Sequence, residues 1–201
     1  MTPRIDTRKY VNSGLVRTLL AMGHEVEAAG LEHRTFALVK IRASQINGCA
    51  YCLDMHTKEA RAKGETEQRL YALSAWRETP FFTDRERAAL KWTEAMTRIA
   101  DAHPSDDVYE RVSRQFDEAG LVALTFAVIA INSWNRLVIA SRPEVGGYQP
   151  AAKTALRTGR GCDRRWLLDD RRQHVAVDVW HAQSQPRGDR RRHVEVADDA
   201  K

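Results

Sequence analysis

The sequence has no run of eighteen apolar residues, and its N-terminus, Met1-Thr2-Pro3-Arg4-Ile5-Asp6, lacks an apolar signal core. Neither a membrane span nor secretion is therefore expected, and a cytoplasmic location is. Cysteine is scarce. Three cysteines in 201 residues cannot build a secreted disulfide framework, so a C-x-x-C pair reads as redox-active or metal-binding in a reducing compartment. Strand-like alternation is missing as well: no segment before residue 148 keeps a period of two, and the expected fold class is all-α.

A genuinely one-signed charge is also lacking. The pI near 9.3 points at first to nucleic acid. Yet residues 149–201 carry 12 of the 32 Lys+Arg and 8 of the 27 Asp+Glu, which leaves the first 148 with 20 against 19, nearly neutral. The basicity belongs to a tail in which Arg164-Arg165, Arg171-Arg172 and Arg190-Arg191-Arg192 alternate with acids and glycines. Without regular aromatic spacing such a mixture specifies no nucleic-acid partner. Two regions are expected: an all-α domain over residues 1–150, and a basic tail over 151–201, disordered or poorly packed. The tail holds a single strand-like stretch at 174–180 and an incidental thiol, Cys162.

What the first region does contain is helical signal. Ser13 caps a helix to about Ala29 whose Leu15, Leu19, Met22 and Val26 form a core face. A second helix runs from about His33 to Ile46 and ends at Asn47-Gly48. A third begins at Cys49 and stops at Gly64, and a fourth from about Thr66 carries Leu70, Leu73 and Trp76 before Pro80. Thr83-Asp84-Arg85-Glu86 has the form of a capping box for a helix to about Ala102. Ser105 starts a helix with Val108, Val112 and Phe116 that reaches Gly120, and Leu121–Ala140 is apolar almost all round, suited to the centre of a bundle or a subunit interface.

The chemistry concentrates in Asn47-Gly48-Cys49-Ala50-Tyr51-Cys52-Leu53-Asp54-Met55-His56. On a helix, positions i, i+3 and i+7 share a face, which brings Cys49, Cys52 and His56 to one site. A cysteine in the first turn has its pKa lowered by unpaired backbone N–H groups and the helix dipole, and His56 one turn below Cys52 accepts its proton. Such a thiolate opens a peroxide to give a sulfenic acid, which the second cysteine resolves. An evident acid partner is lacking. Two other readings of the same residues stay open. Zinc would need a fourth ligand such as His24, His33 or His103, and the cysteines would otherwise be small buried hydrophobes. A thioredoxin-like fold is disfavoured because a helix, not a strand, precedes the pair.

The segment Ile41–His56 resembles the core motif of the AhpD-like alkylhydroperoxidases of the carboxymuconolactone decarboxylase superfamily, and Ala130–Arg136 resembles a downstream segment of that group, over roughly residues 4–150 in all. The resemblance implies an AhpD-like helical bundle assembled as a homotrimer or hexamer. It further implies a thiol-dependent peroxidase acting on hydrogen peroxide or organic hydroperoxides, with Cys52 peroxidatic, Cys49 resolving and His56 assisting proton transfer. No bound cofactor or metal is implied. The reductant is an external dithiol, in the family a lipoyl-type dithiol, which makes a lipoylated protein the expected partner beside the hydroperoxide. Two positions depart from the pattern: Ala37 stands twelve residues before Cys49 where the family has its relay glutamate, and Tyr51 stands where it has a histidine. The alternative function is a redox sensor of the same fold that does not turn over. The decarboxylase branch acts without a cysteine pair.

Overall fold

The computed structural model describes residues 2–150. The expectations placed on the tail, including Cys162 and the stretch 174–180, lie outside the described residues. Among the described residues there are seven α-helices and no strand: α1 (Gly14–Ala28), α2 (His33–Asn47), α3 (Ala50–Ala62), α4 (Glu67–Ala72), α5 (Asp84–Thr97), α6 (Asp106–Ser113) and α7 (Glu118–Ser141). The all-α expectation is met.

Helix α2 is the axis of the bundle: Thr35, Phe36, Ala37, Leu38, Val39, Ile41, Ala43 and Ser44 are buried, and together they lie all round its circumference. It packs against α3, α5 and α7. Phe36 and Val39 face a cluster built with Trp92, Val112, Leu124 and Val128. Ala37, Leu38 and Ile41 face a second cluster with Ala60, Leu73 and Trp76. At about 25 cal/mol per Å² of apolar surface, these two clusters are the main stabilising term of the fold.

Local signals explain most boundaries. The Ser13 side chain accepts from Val16 N at the start of α1. The Thr83 capping box is complete: the Thr83 hydroxyl accepts from Glu86 N at 3.2 Å, and the Glu86 carboxylate accepts from Thr83 N at 2.8 Å.

Four expectations are corrected. Along α1 only Val26 is buried and Leu15 is 84% exposed, so its apolar set is not a core face within one chain. The helix after Thr66 gives way to a 3-10 turn over Leu73–Glu78, where Ala75 leaves helical geometry. Side chains at i and i+3 eclipse in such a turn, which lets Leu73 and Trp76 both bury. Helix α5 ends at Thr97 rather than Ala102, since Ile99 is 45% exposed and has no core to enter. Helix α6 ends at Ser113, and Gly120 belongs to the first turn of α7. Its amide donates to the capping carboxylate of Asp117 at 2.8 Å, and a Cβ there would lie 2.9 Å from that oxygen.

Helix α7 is long and apolar enough by composition to cross a membrane. Here its inner face carries Leu124, Ala127 and Ile131 into the bundle, and it also buries Asn132 and Asn135. Its outer face leaves Val122, Phe126 and Ile129 about half exposed, one helical stripe.

Candidate functional site

The site forms where α2 ends and α3 begins. Gly48 adopts φ +67°, ψ +31°, a left-handed conformation that costs other L-residues about 1–2 kcal/mol. The turn lets Cys49 N donate back to Ser44 O at 3.0 Å and Gly48 N to Gln45 O at 3.3 Å, which satisfies two carbonyls at the end of α2. Cys49 then becomes the N-cap of α3, with Cys52 in the first turn.

A polar network fixes this junction against α7. Asn47 Nδ2 donates to Asn132 Oδ1 at 2.9 Å and to Asn135 Oδ1 at 2.8 Å. Asn135 Nδ2 donates to Ser44 Oγ at 3.1 Å, and Asn132 Nδ2 donates to Thr97 Oγ1 at 3.0 Å. Asn135 and Ser44 are fully buried, and no buried side-chain nitrogen or oxygen among the described residues lacks a partner. The downstream segment around Asn132-Ser133-Trp134-Asn135 thus serves the structure by holding the cysteine turn in place.

Cys49 and Cys52 are joined by a disulfide, with Cα atoms 5.4 Å apart, and each residue is 1% exposed. His56 follows one turn below Cys52 on the same face of α3 and is buried. The three residues singled out by sequence are therefore on one helix, two of them bonded. The polar partner of His56 is not a cysteine but a carboxylate: Nδ1 lies 3.0 Å from Glu59 Oε2. Tyr148, past the end of α7, donates to Glu59 Oε1 at 2.8 Å, and Lys40 Nζ of α2 stands 3.7 Å from Oε2.

A carboxylate therefore stands beside the histidine although Ala37 has none. Ala37 itself is packed into the second hydrophobic cluster, and the acid comes from α3 instead. Sequence reasoning overlooked Glu59, although its i+3 spacing from His56 was a usable signal. Tyr148 carried no local signal at all.

The electrostatics are one-sided. Burial, with the neighbouring Lys40 ammonium, pushes His56 down to about 4 against a weaker pull from Glu59. Burial works to raise the Glu59 carboxyl, but hydrogen bonds from His56 and Tyr148 and the Lys40 charge outweigh it and hold Glu59 down to about 2. Burial and the Glu59 charge move the Tyr148 hydroxyl above its ordinary range. At neutral pH the imidazole is uncharged and the carboxylate ionised. Since an ionised carboxylate only accepts, Nδ1 carries the proton and Nε2 is left as a free base.

This arrangement dictates an acid-labile protein. Between pH 6.5 and about 4 the unfolded chain protonates His56 while the folded chain does not, and from 4.5 to about 2 the same holds for Glu59. The unfolded state binds more protons in both windows, so stability falls as pH falls. Urea unfolding at about pH 7 and about pH 4.5 is expected to differ by about 2–3 kcal/mol, with a flatter dependence in His56→Gln. Equal pH slopes in the two proteins would contradict the burial of a neutral His56.

Among the described residues no group of three or more His, Cys, Asp and Glu side chains is placed to hold a metal ion. His24, His33 and His103, the histidines considered as zinc ligands, are all exposed.

The chain belongs to the carboxymuconolactone decarboxylase family, whose model matches residues 14–95, and to its AhpD-like members in particular. It is 41% identical over 140 residues to YdfG, an uncharacterized protein of Bacillus subtilis, covering 70% of this chain and 95% of that one. A crystal structure of a protein of unknown function from Agrobacterium tumefaciens, described as a candidate AhpD antioxidant-defence protein, superposes with a TM-score of 0.68 at 41% identity. It covers 72% of this chain and 99% of that chain. The debrominase Bmp8 superposes with a TM-score of 0.61 over 67% of this chain and 73% of its own at 18% identity, a likeness of fold alone.

Proposed function

We propose that the protein is a thiol-dependent peroxidase in which Cys49 and Cys52 cycle between dithiol and disulfide. The observation that carries the reading is a cysteine pair at the N-cap and first turn of a helix, with a buried histidine one turn below whose Nδ1 lies 3.0 Å from Glu59 Oε2.

In the reduced protein the Cys52 thiol passes its proton to His56 Nε2, and the first-turn amides of α3 stabilise the thiolate. The thiolate attacks one peroxide oxygen: an S–O bond forms, the O–O bond breaks, and the leaving alkoxide or hydroxide takes the proton back from His56. Cys49 then attacks the sulfenic sulfur, giving the disulfide and water. An external dithiol, of lipoyl type or on a lipoylated protein, returns both thiols and is itself oxidised. The reading includes a homotrimer or hexamer, supported by the exposed stripe Val122, Phe126 and Ile129 on α7 and by exposed Leu15 on α1.

One observation favours a second reading. Both cysteines are 1% exposed in the disulfide, so reductant reaches sulfur only through local opening. A pair that closed readily but reopened slowly would report oxidation instead of turning over. Peroxide consumption with a dihydrolipoyl dithiol separates the two: many equivalents consumed per chain is the peroxidase result, and one equivalent followed by arrest is the sensor result.

A further inference from the structure

The acid that tethers His56 is itself held from outside the helical bundle. After α7 the chain turns back at Gly146, φ +99°, and runs along α3. Lys58 Nζ donates to Gly146 O at 3.2 Å and to Tyr148 O at 3.0 Å, and its ammonium is paired with Asp54 at 2.8 Å one turn earlier on α3. The clamp delivers Tyr148 to a position where the residue is only 4% exposed and its hydroxyl meets Glu59.

We infer that Tyr148 is a positioning residue for the thiol site. From a strap clamped by Lys58, its hydroxyl holds Glu59 Oε1, so that Oε2 accepts from His56 Nδ1 and the Nε2 lone pair remains free. The inference rests on the peroxidase reading for its catalytic consequence, though not for its structural one.

The geometry requires such a hold. The Glu59 side chain is 30% exposed and has another attraction, since Lys40 stands 3.7 Å from the same oxygen that His56 uses. A carboxylate bonded only on that oxygen can rotate about its terminal torsion, which is broad, and leave the imidazole for Lys40 or water. Tyr148 occupies the second oxygen and removes that freedom. Without it, Nδ1 loses its steady acceptor, and either ring nitrogen can carry the proton. The charged and titratable groups around Glu59 come from every neighbouring element. They are His56 on α3, Lys40 and His33 on α2, and Tyr148 on the strap, with Lys63 at the C-cap of α3 and Glu27 on α1 acting on His33 and Lys40, and Tyr51 acting on Tyr148. His56, Lys40 and Tyr148 hold the Glu59 carboxylate down, and Glu59 in turn acts on His33.

The test measures tautomer and rate separately. Nitrogen NMR of His56 at neutral pH is expected to show a single Nδ1–H tautomer in the wild type. Tyr148→Phe, which keeps the ring and loses the hydroxyl, is expected to mix the two tautomers, and Lys58→Met, which frees the strap, to move the signals in the same direction. The oxidation rate of the reduced protein by hydrogen peroxide is expected to fall about ten-fold in Tyr148→Phe, the factor that one lost charge-assisted hydrogen bond supplies. An unchanged tautomer in Tyr148→Phe overturns the inference. If the wild type does not react with peroxide, the peroxidase reading fails while the tautomer measurement still decides the role of Tyr148. A normal tautomer in Lys58→Met beside a mixed one in Tyr148→Phe overturns the clamp.

Discussion

A Cys52→Ser variant is expected to lose peroxide consumption by at least about a thousand-fold, the scale on which removing a nucleophile acts. The reason lies in the atom and its position. Cys52 sits in the first turn of α3, one turn from His56, and a thiol gives up its proton to a neighbouring base far more readily than a serine hydroxyl, which stays protonated. No other cysteine among the described residues can take its place except Cys49, which as the N-cap lies one turn farther from His56. The variant also loses the disulfide. That bond closes a loop with a sequence separation of 3, so the loss of stability is expected to be only about 2 kcal/mol, and the protein remains folded for the assay. A Cys52→Ser protein that still consumed peroxide at the wild-type rate would remove the cysteine pair from the chemistry.

The second large effect is on stability, and it comes from a residue far from Cys52 in sequence. Asn135→Leu is expected to lower the unfolding free energy by about 2–4 kcal/mol. Asn135 is fully buried, accepts from Asn47 Nδ2 and donates to Ser44 Oγ. Leucine fills a similar volume but pairs with neither, and a buried polar group left without a partner costs about 1–3 kcal/mol each. Asn47 keeps its bond to Asn132 and Ser44 keeps its bond to the Lys40 carbonyl, which is why the loss stays below the sum of two complete desolvations. Because this network pins the turn that carries Cys49, the variant is expected to expose the disulfide to dithiol reductant faster than the wild type. Chemical denaturation reads the first effect and the rate of disulfide reduction reads the second. A loss under about 0.5 kcal/mol, the usual range for a surface substitution, would contradict the role given to the network.

Much of this architecture was legible because local physics decided it. Ser13, Thr83 with Glu86, and Gly48 mark helix ends through hydrogen bonds to residues three to five positions away, and such signals survive in any fold that keeps the helix. The placement of Cys49, Cys52 and His56 along one helix is local in the same sense, set by their spacing. Failures came where a helix end depended on neighbours: α5 stops at Thr97 because Ile99 has nothing to pack on, and Gly120, which resembles a stop signal, instead makes room for the Asp117 cap. Leu15 on α1 was misassigned to the core because periodicity identifies an apolar face but not what covers it.

The site was half legible. The absence of a carboxylate at Ala37 was readable, and so in principle was its replacement, Glu59, three residues beyond His56. Tyr148 was not, since it meets Glu59 across 89 positions and only because Lys58 draws the chain back over α3. A tertiary contact of that kind leaves no period or motif in a single sequence.

The central claim is that Cys52 reduces peroxide and Cys49 resolves the product. The most direct test is mass analysis of a reduced Cys49→Ser protein after one equivalent of hydrogen peroxide in the presence of a sulfenic-acid trap. The account predicts the trapped adduct on Cys52 and no intramolecular disulfide. An unmodified Cys52 thiol, under conditions where the wild type forms its disulfide at once, would contradict it.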